Sequence, residues 1–509
     1  MPDISLEECA PPLVIAIDLG TSSARAILFD GAGRQVEGLA SRVPYRMTVT
    51  QDGGAEISAD RLVDILAACL DDLVARIVAS TASGAAPRPN ISAVAMCTFW
   101  HALMGVDSEG RAVTPLYSWN DTRAASAARA LRERLDERAI HSRTGCRLHA
   151  SYWPAKLAWL READPDAFAR TSRWISIGEY FHLRLFGEAS MSISMASATG
   201  LLDQSDCAWD EELLSHLDIS SERLPPLIDS AASGAGLGDE FAARWPLLAG
   251  AEWFPALGDG ACGNIGSGCV TRDRAALMIG TSGALRVLWK AEKVSIPAGL
   301  FCYRADRLRF VMGGALSNGG DLFEWMHKTF NLGEAGEAEG RASAMEPDSH
   351  GLTVLPFLSG ERSTGWADDA RAAITGLRLD TTPDEILRAG LESVAYRFAA
   401  IYDQMVEEAG EPREIVGSGA GLLRSPVWAQ IIADVTGKRI VASDEAESSS
   451  RGAALKALEA LGAIGDLERA EASFARAYAP DFERHRLYKR ARARQNRLYD
   501  AVIGEKTNL

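Results

Sequence analysis

Asp18 follows a five-residue apolar run, Leu13 to Ile17, and leads at once into Leu19-Gly20-Thr21-Ser22-Ser23. A carboxylate at a strand end beside a turn of amides and hydroxyls suits Mg²⁺ and phosphate, since a hard cation needs oxygen ligands and phosphate oxygens need N–H and O–H donors. The same turn returns as Gly280-Thr281-Ser282-Gly283, entered from the apolar run Ala275 to Met278. Two such turns can hold a triphosphate between them. Between them stands Gly258-Asp259-Gly260, just ahead of the small-residue run ACGNIGSG at 261 to 268. Flanking glycines let a substrate approach the carboxylate closely, and the candidate role of Asp259 is general base for a hydroxyl nucleophile. An N-cap role on the following helix is compatible with the same residue.

These residues need elements to hold them, and the sequence supplies the elements in duplicate. LGTSSARAIL at 19 to 28 and IGTSGALRVL at 279 to 288 agree at five of ten positions with an offset of 260, about half the chain. Each window reads as two short strands joined by a tight turn. Apolar residues at helical spacing predict a helix over 59–80, followed by a strand over 92–97. In the second half the pattern predicts helices over 383–399 and 426–436, with strands over 414–416 and 439–442. Alternating strands and helices imply α/β layers. The stretch 245–258 shows neither period and marks the expected boundary between a domain over 1–250 and one over 251–509. Residues 331–350 read as a surface helix and loop, and the basic stretch 484–497 as a solvated terminal helix.

With 509 residues, the chain is long enough for two to four domains at ~100–200 residues each. Its 53 Lys and Arg against 69 Asp and Glu give a net charge of −16, which opposes general affinity for nucleic acid or anionic membranes. Any polyanion must therefore be held by local groups. The eight cysteines form no metal-like or disulfide-dense pattern, and no secretory leader or apolar span is expected, so a cytoplasmic location fits. The segment 417–444, GSGAGLLRSPVWAQIIADVTGKRIVASD, invites a dinucleotide-binding reading, but its glycines at 417, 419 and 421 miss the required spacing.

Seven segments in order carry a resemblance to the FGGY carbohydrate kinases: IDLGTSSARAILFD, WND at 119 to 121, GDGACGNIGSG, IGTSG, LPFLSGER at 355 to 362, ITGL at 374 to 377, and GSGAGLLRSPVWAQIIADV. The resemblance spans roughly residues 13 to 460. It implies an α/β fold of two ribonuclease-H-like domains, as in the actin, hexokinase and Hsp70 ATPase group, around a central cleft. It further implies ATP and Mg²⁺ as cofactors, with Asp18 as the metal-linked aspartate and Asp259 as the catalytic base. Thr21, Ser22, Gly280 and Thr281 would face the phosphates, and Asn318, Gly320, Gly419 and Gly421 would lie near the nucleotide.

On the acceptor side the resemblance implies Trp100, His101, Asn120 and Asp121, with Asp259, as residues that bind a small sugar or sugar acid. The capping loop reads Phe99-Trp100-His101-Ala102 where the family often has Met-His-Gly, and the paired Arg-Glu of glycerol kinases is absent. Aromatic faces for C–H groups and paired donors and acceptors for hydroxyls suit a polyol. A substrate carboxylate would pair with Arg123 or Lys156. D-Gluconate is favoured over D-xylulose, a homodimer is compatible with the sequence, and a sugar-independent ATPase of the same fold is the alternative from another class.

Overall fold

The computed structural model describes residues 3–82, 89–234 and 236–504. Leu13–Leu19 (β1) is buried along its whole length, as a strand covered on both faces must be, and pairs antiparallel with Ser23–Phe29 (β2). Gln35–Pro44 (β3) continues the antiparallel ladder beyond β2. On the other flank Ile91–Thr98 (β4) runs parallel to β1, and Glu252–Gly258 (β5) parallel to β4. The sheet order is β5-β4-β1-β2-β3.

The second sheet is built from Arg274–Ile279 (β6), Gly283–Lys290 (β7), Phe301–Arg304 (β8), Arg309–Leu316 (β9), Glu414–Ser418 (β10), Arg439–Ser443 (β11) and Phe474–Tyr478 (β12). Their order is β8-β9-β7-β6-β10-β11-β12. Without the edge strands β8 and β12, the order and directions match those of the first sheet: an antiparallel hairpin with a third strand, flanked by two parallel strands. The repeated Gly-Thr-Ser turns are the β1–β2 and β6–β7 connections. The duplication is thus architectural, and both halves carry the ribonuclease-H-like sheet.

Helices Ala59–Ala82, Pro383–Ala409 and Pro426–Thr436 stand where the periodicity puts them, the second ten residues longer than expected. Thr382 and Glu385 close a capping box at its start, and Gly410 ends it. The first sheet runs past the division expected at residue 250, because Glu252–Gly258 pairs with β4. That strand escapes a periodicity reading for two reasons. Six of its seven residues are buried, so nothing alternates, and Pro255 sits on a sheet edge where the register shifts between Trp253 and Ala256.

The halves interlock through two helices. Asp259–Gly266 follows β5, and Ser448–Ala460, which follows β11, packs both on it and on the first sheet. The small residues make this possible: a Cβ on Gly266 would stand 1.8 Å from the Ser448 carbonyl oxygen, and one on Gly452 1.9 Å from that of Cys262. The basic helix Phe482–Tyr499 buries Tyr488, Ala491 and Gln495, and its Arg494 pairs with Asp348. No described helix is long and apolar enough to cross a membrane.

Candidate active site

Asp259 feels the charge of Asp18 from the first hairpin and of Arg286 from the outgoing strand of the second. Asp18, 3% exposed at the end of β1, faces Arg25 across the hairpin and accepts a bond of 2.9 Å from its Nη1. The Cys97 thiol lies 3.5 Å from its other oxygen. Burial raises the Asp18 pKa, and Arg25 opposes the rise. Arg25 also reaches Glu447 at 3.3 Å, and Asp18 helps to raise the pKa of that carboxyl, after burial. Asp259 opens the helix after β5 and its Oδ1 accepts from the Gly260 amide at 2.7 Å. Its pKa is pushed up to about 6, mainly by burial and further by Asp18, while Arg286 from the second half pulls it down. The three carboxyls thus share one field, which suits a hydrated hard cation with few protein ligands.

Thr21 and Ser22 are exposed at the first turn, with no hydrogen bond from their hydroxyls among the described residues. Tyr45 braces this turn: its hydroxyl donates to the Gly20 carbonyl and its amide to that of Ser22. In the second turn Thr281 is exposed likewise. Its backbone is clasped by two glycine segments: the Gly319 amide bonds the Thr281 carbonyl at 3.0 Å and the Gly320 amide that of Gly280 at 2.8 Å. From the other side Gly419, at φ 85°, and Gly421 approach so closely that a Cβ would come within 2.4 Å and 3.0 Å of the Ile279 carbonyl oxygen. Gly280, Gly320, Gly419 and Gly421 therefore meet, and their first service is to let three backbones touch. Asn318 is 3% exposed and committed to Asp321 at 2.7 Å and the Ser359 amide at 3.0 Å, so it holds the loop together.

Trp100 and His101 belong to a cluster of packed rings drawn from both halves. The Trp100 indole lies on the backbone of Gly258 and Gly260 and donates to the Ser194 carbonyl at 3.1 Å. Close approach at this Gly-Asp-Gly is thus made by the indole. His101 holds an uncommon φ of 70°, and its Nδ1 sits 2.6 Å from the Ala198 carbonyl. Burial, then Arg362, drives its pKa well below the usual value. Tyr303 of β8 contacts Trp100 at 4.9 Å and His101 at 5.5 Å between ring centroids. Its hydroxyl meets that of Tyr152 at 2.6 Å.

Several residues singled out from sequence are spoken for elsewhere. The Asp121 carboxylate, 2% exposed, takes the Ala55 amide at 3.0 Å and the Arg123 guanidinium at 2.6 Å. Arg123 also binds Glu56 and lies 4.8 Å over Trp159. Lys156 is 1% exposed, donates to the carbonyls of His101 and Ser118 at 2.9 and 2.7 Å, and is lowered by burial to about 7. Neither cation is open to a substrate carboxylate. Trp153 is a core residue, its indole bonded to the Ala102 carbonyl. Asn120 is exposed and makes no side-chain bond among the described residues. Arg286, Tyr303 and Arg362 were missed as site residues, although Arg286 lies inside the repeated window and Arg362 ends LPFLSGER.

A carboxyl of raised pKa that opens the helix after β5, within reach of the charges of Asp18 and of Arg286 from the second half, is suited to take a proton from a hydroxyl during phosphoryl transfer. The sequence agrees: residues 13–266 match the N-terminal domain of the FGGY family of carbohydrate kinases and residues 275–461 its C-terminal domain. The chain belongs to that family and is an ATP-dependent sugar kinase. Among its relatives, the gluconokinase of Bacillus subtilis (strain 168) is 27% identical over 466 residues, 89% of each chain. The ligand-bound xylulose kinase of Lactobacillus acidophilus superposes with a TM-score of 0.89 at 26% identity, covering 96% of this chain and 98% of its own. The gluconate kinase of Lactobacillus acidophilus does so with 0.88 at 27% identity and the same coverage.

Proposed function

We propose that this kinase transfers the γ-phosphoryl group of ATP to a terminal hydroxyl of a small sugar acid, with D-gluconate the favoured acceptor. The observation that carries the reaction is Asp259, half-buried, with a pKa near 6 and Arg286 beside it. Near neutral pH its carboxylate is ionised yet close enough to its pKa to take the proton as the acceptor oxygen attacks phosphorus in line. The exposed Thr21 and Ser22 of the first turn and Thr281 of the second would offer their amides and hydroxyls to the phosphates, where charge spreads during transfer. Asp18, with Glu447 near it, would hold Mg²⁺ through its waters, and the ion supplies charge neutralisation on the phosphate oxygens.

The gluconokinase and gluconate kinase likenesses support the sugar acid. A ketopentose such as D-xylulose is the second reading, supported by the likeness to the xylulose kinase. A coupled ADP-release screen over aldonic acids, ketopentoses, alditols and glycerol tests both. Turnover confined to ketopentoses removes the sugar acid, and ATP hydrolysis indifferent to every sugar removes the acceptor site altogether.

A further inference from the structure

The helix Trp153–Ala163 presents Trp153 and Lys156, one turn apart on one face, to the chain around His101. The Trp153 indole donates to the Ala102 carbonyl at 3.0 Å, and the Lys156 ammonium takes the carbonyl just before it, that of His101, at 2.9 Å. The same ammonium donates to the Ser118 carbonyl at 2.7 Å. That oxygen also accepts the Asp121 amide at 3.2 Å, which closes a turn with Trp119 and Asn120 at its tip. Just behind, Leu103 and Tyr117 exchange both backbone bonds, at 3.0 and 2.8 Å, so the two segments leave a common bridge on the way to His101 and Asn120. Lys156 is 1% exposed and forms no ion pair among the described residues; Asp121, whose charge it feels, is held by Arg123 at 2.6 Å. A buried ammonium without a counter-ion costs stability, and a methionine would fill the same space without that cost. What a methionine cannot do is draw carbonyls from two separate segments to one point.

We propose that Lys156 is a positioning residue for the acceptor: its ammonium sets the spacing between the segment that carries Trp100 and His101 and the turn that carries Trp119 and Asn120. This rests on the reading of both segments as the acceptor side. Lys156 acts through these segments rather than by touching substrate. Neither of its two carbonyl partners belongs to a Gly-Thr turn, so its loss acts on the acceptor and spares ATP.

Steady-state kinetics with D-gluconate and with D-xylulose compare the wild type, Lys156→Met, Asn120→Ala and the double variant. Lys156→Met should lower kcat/KM for the acceptor by about 10–10²-fold, mostly through KM, the scale of a misplacement of about 1 Å. KM for ATP should stay within about threefold. Asn120→Ala should cost much less in Lys156→Met than in the wild type, because a displaced Asn120 has less to lose, whereas a merely structural lysine gives additive losses. Lys156→Arg, which keeps the charge and can donate to both carbonyls, should recover part of the acceptor affinity. Lys156→Gln, whose shorter stem reaches one carbonyl at most, should show the same split at smaller size, and it carries the test where Lys156→Met does not fold. Unchanged acceptor KM, equal losses on acceptor and ATP, or additivity with Asn120→Ala overturns the positioning role and leaves the acceptor reading standing. Turnover of neither sugar by the wild type, or an acceptor KM untouched by Asn120→Ala, overturns that reading and the role with it, and leaves the kinase.

Discussion

Trp100 fills the space that a side chain on Gly258 would need: a Cβ there would stand 1.8 Å from the indole. The glycine is required by its neighbour, and the indole in turn covers the backbone that presents Asp259. Gly258→Ala should therefore lower stability by about 1–3 kcal/mol through overpacking. It should also reduce kcat/KM by moving Asp259. Thermal unfolding and steady-state kinetics check the pair, and an unaltered melting temperature would show that Trp100 yields freely.

Asp259→Asn should lower turnover by ~10²–10⁴, the usual worth of a positioned base, with ATP affinity nearly intact. In the wild type, burial holds the carboxyl at a pKa of about 6, above its ordinary value. Only the ionised form can accept a proton, so kcat/KM should fall as pH drops below about 6 and level off above it. The acid limb should vanish in the variant. A wild-type profile flat through this range would remove Asp259 as the base.

Asp18→Asn should raise the Mg²⁺ concentration needed for half-maximal rate and lower turnover strongly, because it weakens the field the cation answers. Arg25 retains Glu447 as a partner at 3.3 Å, so the fold should survive. Mg²⁺ titration of the rate checks this. Unchanged dependence would mean that Asp18 serves only to pair Arg25.

Gly419 changes meaning once the structure is in view. From sequence it reads as a residue near the adenosine, and a larger side chain there would be expected to raise KM for ATP more than that for sugar. At φ 85° with the Ile279 carbonyl in the way, a side chain must displace the backbone that leads into Gly280. Gly419→Val should thus lower the melting temperature and weaken ATP binding together. Sugar affinity, measured well below the melting point, should change less. A large ATP effect without any loss of stability would return Gly419 to a direct contact.

The parts of the site legible in sequence are those written in local pattern. Asp18, Asp259 and the two Gly-Thr turns each stand in a short run whose glycines and flanking apolar residues announce a turn, and the repeat doubles the signal. Asp121 and Lys156 have partners within the protein that the sequence does not show, because residue type shows chemistry but not whether a distant group has claimed it. Arg123, Glu56 and the Ala55 amide arrive at Asp121 from separate segments. Arg286, Tyr303 and Arg362 escaped for the converse reason: they come to Asp259, Trp100 and His101 from strands and loops of the other half, and only the packing of the two sheets shows it. The edge strand at Glu252–Gly258 was hidden by burial on both faces and by its proline.

Tyr152 and Tyr303 supply the last prediction, which concerns how the halves communicate. Their hydroxyls meet at 2.6 Å, and beside them the Cys302 amide bonds the Gly145 carbonyl at 3.0 Å, with the His141 ring 2.8 Å from the Leu300 carbonyl. One rim of the cleft is thereby fastened, and motion that brings the two Gly-Thr turns toward one another must pivot about it. An acceptor that touches both halves should by its binding favour closure and tighten ATP, and linkage requires ATP to tighten the acceptor by the same factor. A coupling of about 1–3 kcal/mol is typical. Calorimetric titration of each ligand, with and without the other as a non-hydrolysable analogue, should show equal factors, and X-ray scattering of the ternary complex a smaller radius of gyration than the free protein. Tyr303→Phe, which leaves the Tyr152 hydroxyl without its partner, should reduce the coupling more than either affinity alone. Superimposable scattering curves with independent affinities would show that the cleft does not close on its substrates.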